Sequence, residues 1–245
     1  MAISLRSLRS GHYKGLGMHS QGAPTMNELE TFEIEPQDTL ESSVVWLHGL
    51  GATPHDFDDV VPLLNLRHTR FVFPAAPERP VTVNGGMVMP AWYDLLSLGE
   101  PPLREDAASV RASADLMSAL LRREIARGVA AQRLVLMGFS QGGALALHVG
   151  TRFPERLAGL CSLSGYLLQP ETFDTERSTS SLRTPVLICH GEFDPVVPVS
   201  LGKSSFETLK GAGYEAEWRS FPMPHSLCLD EVRALGQWFE RCGVR

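Results

Sequence analysis

Long apolar stretches are missing from this chain. No uninterrupted apolar run reaches ten residues, whereas a helix needs about 20 to cross a bilayer. Concentrated positive charge is missing too. Asp and Glu outnumber Lys and Arg by 28 to 22, for a formal charge of −6, and no basic cluster offsets them, so the electrostatic footprint of a nucleic-acid-binding protein is absent. Cysteine is sparse: Cys161, Cys189, Cys228 and Cys242 are scattered, with no C-x-x-C pair. That argues against a zinc site or a disulfide framework and fits a reduced, cytoplasmic setting. There is no H-E-x-x-H or comparable ligand spacing, no internal repeat and no low-complexity tract.

Acid is absent from the first 27 residues, which carry Arg6, Arg9, Lys14 and several serines. They contain no continuous apolar core of the kind a secretory signal requires. An organelle transit peptide, a non-native leader, and a start assigned upstream of Met18 or Met26 all suit this composition. We read residues 1–29 as an N-terminal extension, disordered or non-native, and residues 30–245 as one domain.

Within that domain, short apolar runs at 44–48, 70–73, 133–137, 157–163, 185–190 and 215–221 read as strands. Helical spacing of Val110, Ala114, Met117, Leu121 and Ile125 predicts a helix over 105–127. Further helices are expected over 142–153, ending before Pro154, over 200–210, and over 229–241. Strands alternating with helices imply an α/β protein with a mostly parallel central sheet and helices on both faces. The runs at 44–48 and 185–190 are almost wholly apolar, as strands buried on both faces should be. Residues 74–104 read as a long loop holding an apolar series that includes Met87, Val88, Met89, Trp92 and Leu95. Loops of that length are usually functional.

The chemistry-bearing candidate follows the run at 133–137. Gly138-Phe139-Ser140-Gln141-Gly142 matches G-x-S-x-G, the strand-to-helix elbow that presents a nucleophilic serine. Glycine and serine are also ordinary turn residues, so the partners decide. A serine hydroxyl needs an adjacent base, and the base needs an orienting acid; in this fold they follow in the order Ser, Asp or Glu, His. His190 ends an apolar strand, where a structural histidine is expected, whereas His225 lies in a loop after the last strand. "CHGEFDPVVP" offers Glu192 and Asp194 just past a strand end. A tetrahedral oxyanion needs two backbone donors: the N–H of Gln141, following the nucleophile, and the N–H of Leu50 in the glycine-rich loop "HGLGATPHDF" after the first apolar strand.

Taken together, "WLHGLGA", "FVFPAAPERPVTVNGGMVMPAWYD", "GFSQGGALALH", "CHGEFDPVVP" and "FPMPH" resemble the carboxylesterase, lysophospholipase and acyl-protein thioesterase family of α/β-hydrolases over residues 31–243. The resemblance implies an α/β-hydrolase fold with little or no lid, a catalytic triad of Ser140, Asp194 and His225, oxyanion donors at Leu50 and Gln141, and Asp194 rather than Glu192 as the acid. It implies no cofactor and no metal. The segment holding Trp92 corresponds to the family's loop beside the acyl site, which makes Trp92 and Met89 the expected substrate-binding residues. One departure is Pro224, where the family commonly has glycine before the histidine.

The activity expected from this is that of a serine carboxylesterase acting on short- to medium-chain acyl esters through an acyl-enzyme, the alternative being an acyl-protein thioesterase or lysophospholipase with the same triad. The expected partner is a small-molecule ester or thioester, with no nucleic acid and no stable membrane association; a homodimer is compatible with the sequence. Two other classes compete: a metal-dependent hydrolase built from His48, His55, His190 and Asp194, and an inactive binding protein on a hydrolase scaffold. A fluorophosphonate probe separates all three. Labelling of Ser140 that persists in excess chelator is expected; chelator-sensitive activity without serine labelling would point to a metal, and neither signal would point to a binding protein.

Overall fold

All six apolar runs enter a single sheet. The structure is a computed structural model that describes residues 2–3, 29–97 and 103–245. Its main strands are β1 (Thr31–Ile34), β2 (Ser42–Leu47), β3 (Thr69–Pro74), β4 (Leu134–Phe139), β5 (Gly159–Leu163), β6 (Val186–Gly191) and β7 (Ala216–Phe221). They lie side by side in the order β7-β6-β5-β4-β2-β3-β1. Every neighbouring pair is parallel except β1 on β3. β1 was not among the expected strands: four residues with a polar-apolar mixture carry too little periodic signal.

Four long helices cover the sheet: α1 (Ala107–Ala126), α2 (Gln141–Arg152), α3 (Val199–Gly211) and α4 (Leu229–Arg241). Alternation along the central strands divides the apolar residues between two cores. Val45, Leu47, Leu134 and Leu136 join Met117 and Leu121 of α1, Ala144 and Leu147 of α2, and Leu209 of α3. On the other face, Val44, Trp46, Val135 and Met137 join Val232, Leu235, Trp238 and Phe239 of α4. This is why the runs in β2 and β6 read as almost wholly apolar: every residue of both strands is buried. The architecture is the α/β-hydrolase fold.

The loop expected over 74–104 and the connection at 166–184 both contain regular structure. Within 74–104, Glu78–Val81 pairs antiparallel with Met87–Pro90, closed by Gly85 and Gly86 at φ of +66° and +78°. Within 166–184, a short helix, Pro170–Glu176, is anchored by the buried ring of Phe173. No helix among the described residues is long and apolar enough to cross a membrane. The extension expected over residues 1–29 lies almost wholly outside the described residues.

One buried acid marks the α4 face. Glu231, in the first turn of α4, is 1% exposed. Burial pushes its carboxyl from 4.5 up to about 8, although the backbone N–H of Cys228 pulls the other way. Between those values the unfolded chain releases a proton that the folded chain keeps, so this residue makes stability fall as pH rises from about 4.5 to about 8. Glu231→Gln is therefore expected to raise Tm more in alkaline than in acidic buffer, with a gain on the order of a few kcal/mol above pH 8. Calorimetry across that range checks it; an equal change at both ends would show that Glu231 does not titrate differently on folding.

Candidate active site

Ser140 alone makes the turn between β4 and α2. Its backbone sits at φ +55°, ψ −120°, a region that residues with a side chain avoid at a cost of roughly 1–3 kcal/mol. Two backbone hydrogen bonds hold it: its N–H donates to the Leu163 carbonyl at 2.8 Å, and its carbonyl accepts from Ala144 N–H at 3.0 Å. The flanking glycines are sterically required. A Cβ on Gly142 would lie 2.5 Å from the carbonyl oxygens of both Leu47 and His48, and one on Gly138 would overlap the Gly142 backbone.

The loops after β6 and β7 bring the other two candidates to this turn. His225 Nε2 lies 2.9 Å from Ser140 Oγ, and His225 Nδ1 lies 2.6 Å from Asp194 Oδ2. The Asp194 side chain is fully buried. Its other oxygen accepts from the N–H groups of Val196 and Val197, both at 2.9 Å. Burial pushes the Asp194 carboxyl up, but the bond and charge of His225 and these two N–H groups outweigh it, leaving the group below the ordinary carboxylate value. An ionised carboxylate only accepts, so Nδ1 carries the imidazole proton and Nε2 is left to accept from the serine hydroxyl. The Phe139 ring packs against the imidazole, with centroids 4.7 Å apart. Glu192 is turned away and accepts from Ser220 Oγ at 3.0 Å. Pro224 is exposed, its carbonyl accepts from Ser226 N–H at 2.8 Å, and its missing N–H leaves the contacts of His225 intact.

Leu50 and Gln141 flank the serine. Gln141 is the first residue of α2, and Leu50 lies in the loop after β2, which touches the elbow where a Gly49 Cβ would sit 3.5 Å from Ser140 Cβ. Among the described residues, neither backbone N–H donates to another backbone group. The hairpin supports this loop: Gly51 N–H donates to the Pro90 carbonyl at 2.8 Å, and Met89 Sδ lies 3.6 Å from where a Gly51 Cβ would be. Met89 is therefore beside the loop, half-buried.

Trp92 is placed differently from the expectation that it lines the acyl site. Its side chain is fully buried. The indole N–H donates to the His48 carbonyl at 2.8 Å, and the backbone N–H donates to Gln141 Oε1 at 2.7 Å. Gln141 Nε2 in turn donates to the Tyr93 carbonyl at 2.8 Å, and Ser113 Oγ donates to the Trp92 carbonyl. Trp92 thus ties the post-β2 loop to the elbow helix and exposes no surface to a ligand. The sequence shows an aromatic in an apolar loop but not which way it faces, and the amide of Gln141 carried no signal of its second role. His48, considered as a metal ligand, has both ring nitrogens engaged by the backbone. No cluster able to hold a metal ion occurs among the described residues.

A hydroxyl bonded to an imidazole that is itself oriented by a buried carboxylate is the arrangement that makes serine nucleophilic. It lies here at the C-terminal ends of parallel strands, where open α/β sheets carry their sites. The protein is a hydrolase of the α/β-hydrolase fold. It belongs to the phospholipase/carboxylesterase family, whose model matches residues 29–242. A relative in Gibberella zeae, acyl-protein thioesterase 1, is 41% identical over 207 residues, which is 79% of this chain and 88% of that protein. The solved structure of Zea mays acyl-protein thioesterase 2 is 29% identical with a TM-score of 0.79, covering 87% of this chain and 98% of that one. Esterase PE8 is 26% identical with a TM-score of 0.76, covering 88% of this chain and 99% of that one.

The position of Trp92 has a kinetic consequence. Trp92→Ala is expected to cost roughly 3–5 kcal/mol of stability, as for other fully buried aromatics, and to lower kcat/KM similarly for every acyl length. A p-nitrophenyl ester series from acetate to octanoate, with denaturation curves, checks both. A loss confined to the longer chains would return the indole to the acyl site.

Proposed function

We propose that the chain is an acyl-protein thioesterase, hydrolysing the thioester between an acyl group and a protein cysteine through Ser140, His225 and Asp194. The observation that carries the serine mechanism is the continuous hydrogen-bonded path from Ser140 Oγ through both nitrogens of His225 to Asp194. His225 Nε2 takes the serine proton as Oγ attacks the acyl carbonyl, and Asp194 holds the imidazole in that tautomer and balances the imidazolium. The N–H groups of Leu50 and Gln141 receive the oxyanion. The carbon–sulfur bond then breaks, the departing thiolate takes the proton from His225, and the acyl group remains on Ser140. Water attacks that ester with His225 again as base, releasing the carboxylic acid and restoring the serine.

The thioester is favoured over the short- to medium-chain ester expected from sequence because the relative in Gibberella zeae and the maize structure are both named acyl-protein thioesterases. Hydrolysis of short- to medium-chain oxyesters is the second reading, supported by the likeness to esterase PE8. Met89, and the exposed Met87 and Val88 beside it on the hairpin, are the proposed acyl contacts.

Matched S-octanoyl and O-octanoyl peptides distinguish the two. The thioester is expected to be cleaved with kcat/KM at least about tenfold higher, a difference of roughly 1.4 kcal/mol in transition-state stabilisation; a preference for the oxyester would favour the carboxylesterase reading. Ser140→Ala should lower kcat on either by roughly 10⁴–10⁶ while retaining the fold. A purified variant that kept a tenth of the wild-type rate would sink the mechanism.

A further inference from the structure

His48 follows the last residue of β2 and is 1% exposed, and the mechanism above gives it no part. Both its ring nitrogens are nevertheless occupied. The backbone N–H of Ala76 points at Nε2 from 3.1 Å, and Nδ1 lies 2.8 Å from the Gly49 carbonyl oxygen. A backbone N–H can only donate and a carbonyl can only accept. These partners therefore fix one tautomer: Nε2 bare, Nδ1 protonated and donating to Gly49. Burial acts in the same direction, holding the imidazole below its ordinary pKa and therefore neutral.

The bonded carbonyl belongs to the peptide unit that also carries the N–H of Leu50. A trans peptide is planar, with its C=O and N–H pointing in opposite directions. Fixing the Gly49 oxygen toward the His48 ring therefore turns the Leu50 N–H the other way. A second, longer bond from Ala52 N–H to the same oxygen, 3.2 Å, acts in the same sense. This peptide lies against the nucleophile, since a Cβ on Gly49 would be 3.5 Å from Ser140 Cβ. If it flipped, a carbonyl oxygen would replace an N–H at the oxyanion position. Such a flip turns ψ of Gly49, where no side chain resists it, and φ of Leu50, so the bonds to the Gly49 oxygen act together with the Leu50 side chain to prevent it.

We propose that His48 is a positioning residue for the oxyanion donor: as the Nδ1–H tautomer, held by Ala76 N–H, it sets the orientation of the Gly49–Leu50 peptide and thereby aims the Leu50 N–H at the acyl oxygen. This rests on the proposed serine mechanism and on Leu50 as a donor. His48 touches no reacting atom.

Loss of an oxyanion donor typically costs about 10²–10³ in kcat, and a donor aimed correctly part of the time costs less. His48→Ala is expected to lower kcat by roughly 10–100-fold with KM on the acyl thioester changed by less than about threefold, because the donor acts chiefly on the transition state. The Ki of an acyl trifluoromethyl ketone, which forms an oxyanion hemiketal on Ser140, should rise by the same factor. His48→Asn should recover part of both, because its amide nitrogen can take the place of Nδ1 and donate to Gly49. A folded His48→Ala protein with wild-type kcat and ketone affinity overturns the inference. Should that variant fail to fold, ¹⁵N NMR of the wild-type imidazoles decides: a protonated Nδ1 and bare Nε2 on His48 are expected, and a protonated Nε2 overturns it. Ser140→Ala keeps the two questions apart. If Ser140→Ala stays active, the serine mechanism fails; if it is inactive while the His48 variants behave as wild type, only the role of His48 fails.

Discussion

The backbone of Ser140 is the constraint on which the rest of the site depends. A residue with a side chain held at φ +55° persists only where its surroundings leave no alternative. Here β4 is buried on both faces, the N–H of the serine is bound to the next strand at Leu163, and α2 begins at once behind it. The close approach that Gly142 allows to the carbonyls of Leu47 and His48 does two things together. It lets α2 start hard against the sheet, and it brings the end of β2, with the loop that follows, alongside Ser140. The serine and the loop that holds Leu50 are thus set by the same contact.

Two buried carboxylates show how burial alone fails to decide a charge. Asp194 and Glu231 are both withdrawn from water, and burial pushes both toward the neutral form. Asp194 nevertheless lies below its ordinary pKa, because His225 and the N–H groups of Val196 and Val197 bind its two oxygens. Glu231, with a backbone N–H opposing its burial, goes the other way. The number of donors aimed at the oxygens settles the sign. The loop after β6 supplies two of those donors itself, Val196 and Val197, and so helps to keep a negative charge behind His225.

Around the elbow, a second set of contacts joins four separate stretches of chain. His48 and Gly49 follow β2, Ala76 follows β3, Trp92 follows the hairpin, and Gln141 opens α2; each is bonded to at least one of the others or to its neighbour. These are polar groups buried with partners, where an unpaired one would cost about 1–3 kcal/mol. The apolar character of residues 91–93 and the indole of Trp92 serve this framework rather than a ligand surface. The surface left beside the site comes from the hairpin, where Met87 and Val88 stay exposed.

Much of the fold was legible because its signals are local. Residues 44–48 and 185–190 read as strands because strands buried on both faces are almost wholly apolar, and the helix over 229–241 repeats its apolar residues at helical spacing. The elbow was legible for a related reason: a sharp strand-to-helix turn demands small residues at fixed positions, and Gly138, Ser140 and Gly142 supply them. Chain order and the resemblance then picked out Asp194 and His225 as the partners to examine. Other features depended on contacts between distant segments, which spacing does not encode. β1 exists because it can pair with β3, and the hairpin at 78–90 because its two arms meet across a glycine turn. Trp92 faces inward because His48 offers its indole a carbonyl. The tautomer of His48, and with it the direction of the Leu50 N–H, was fixed only when folding brought the N–H of Ala76 to the far side of the ring.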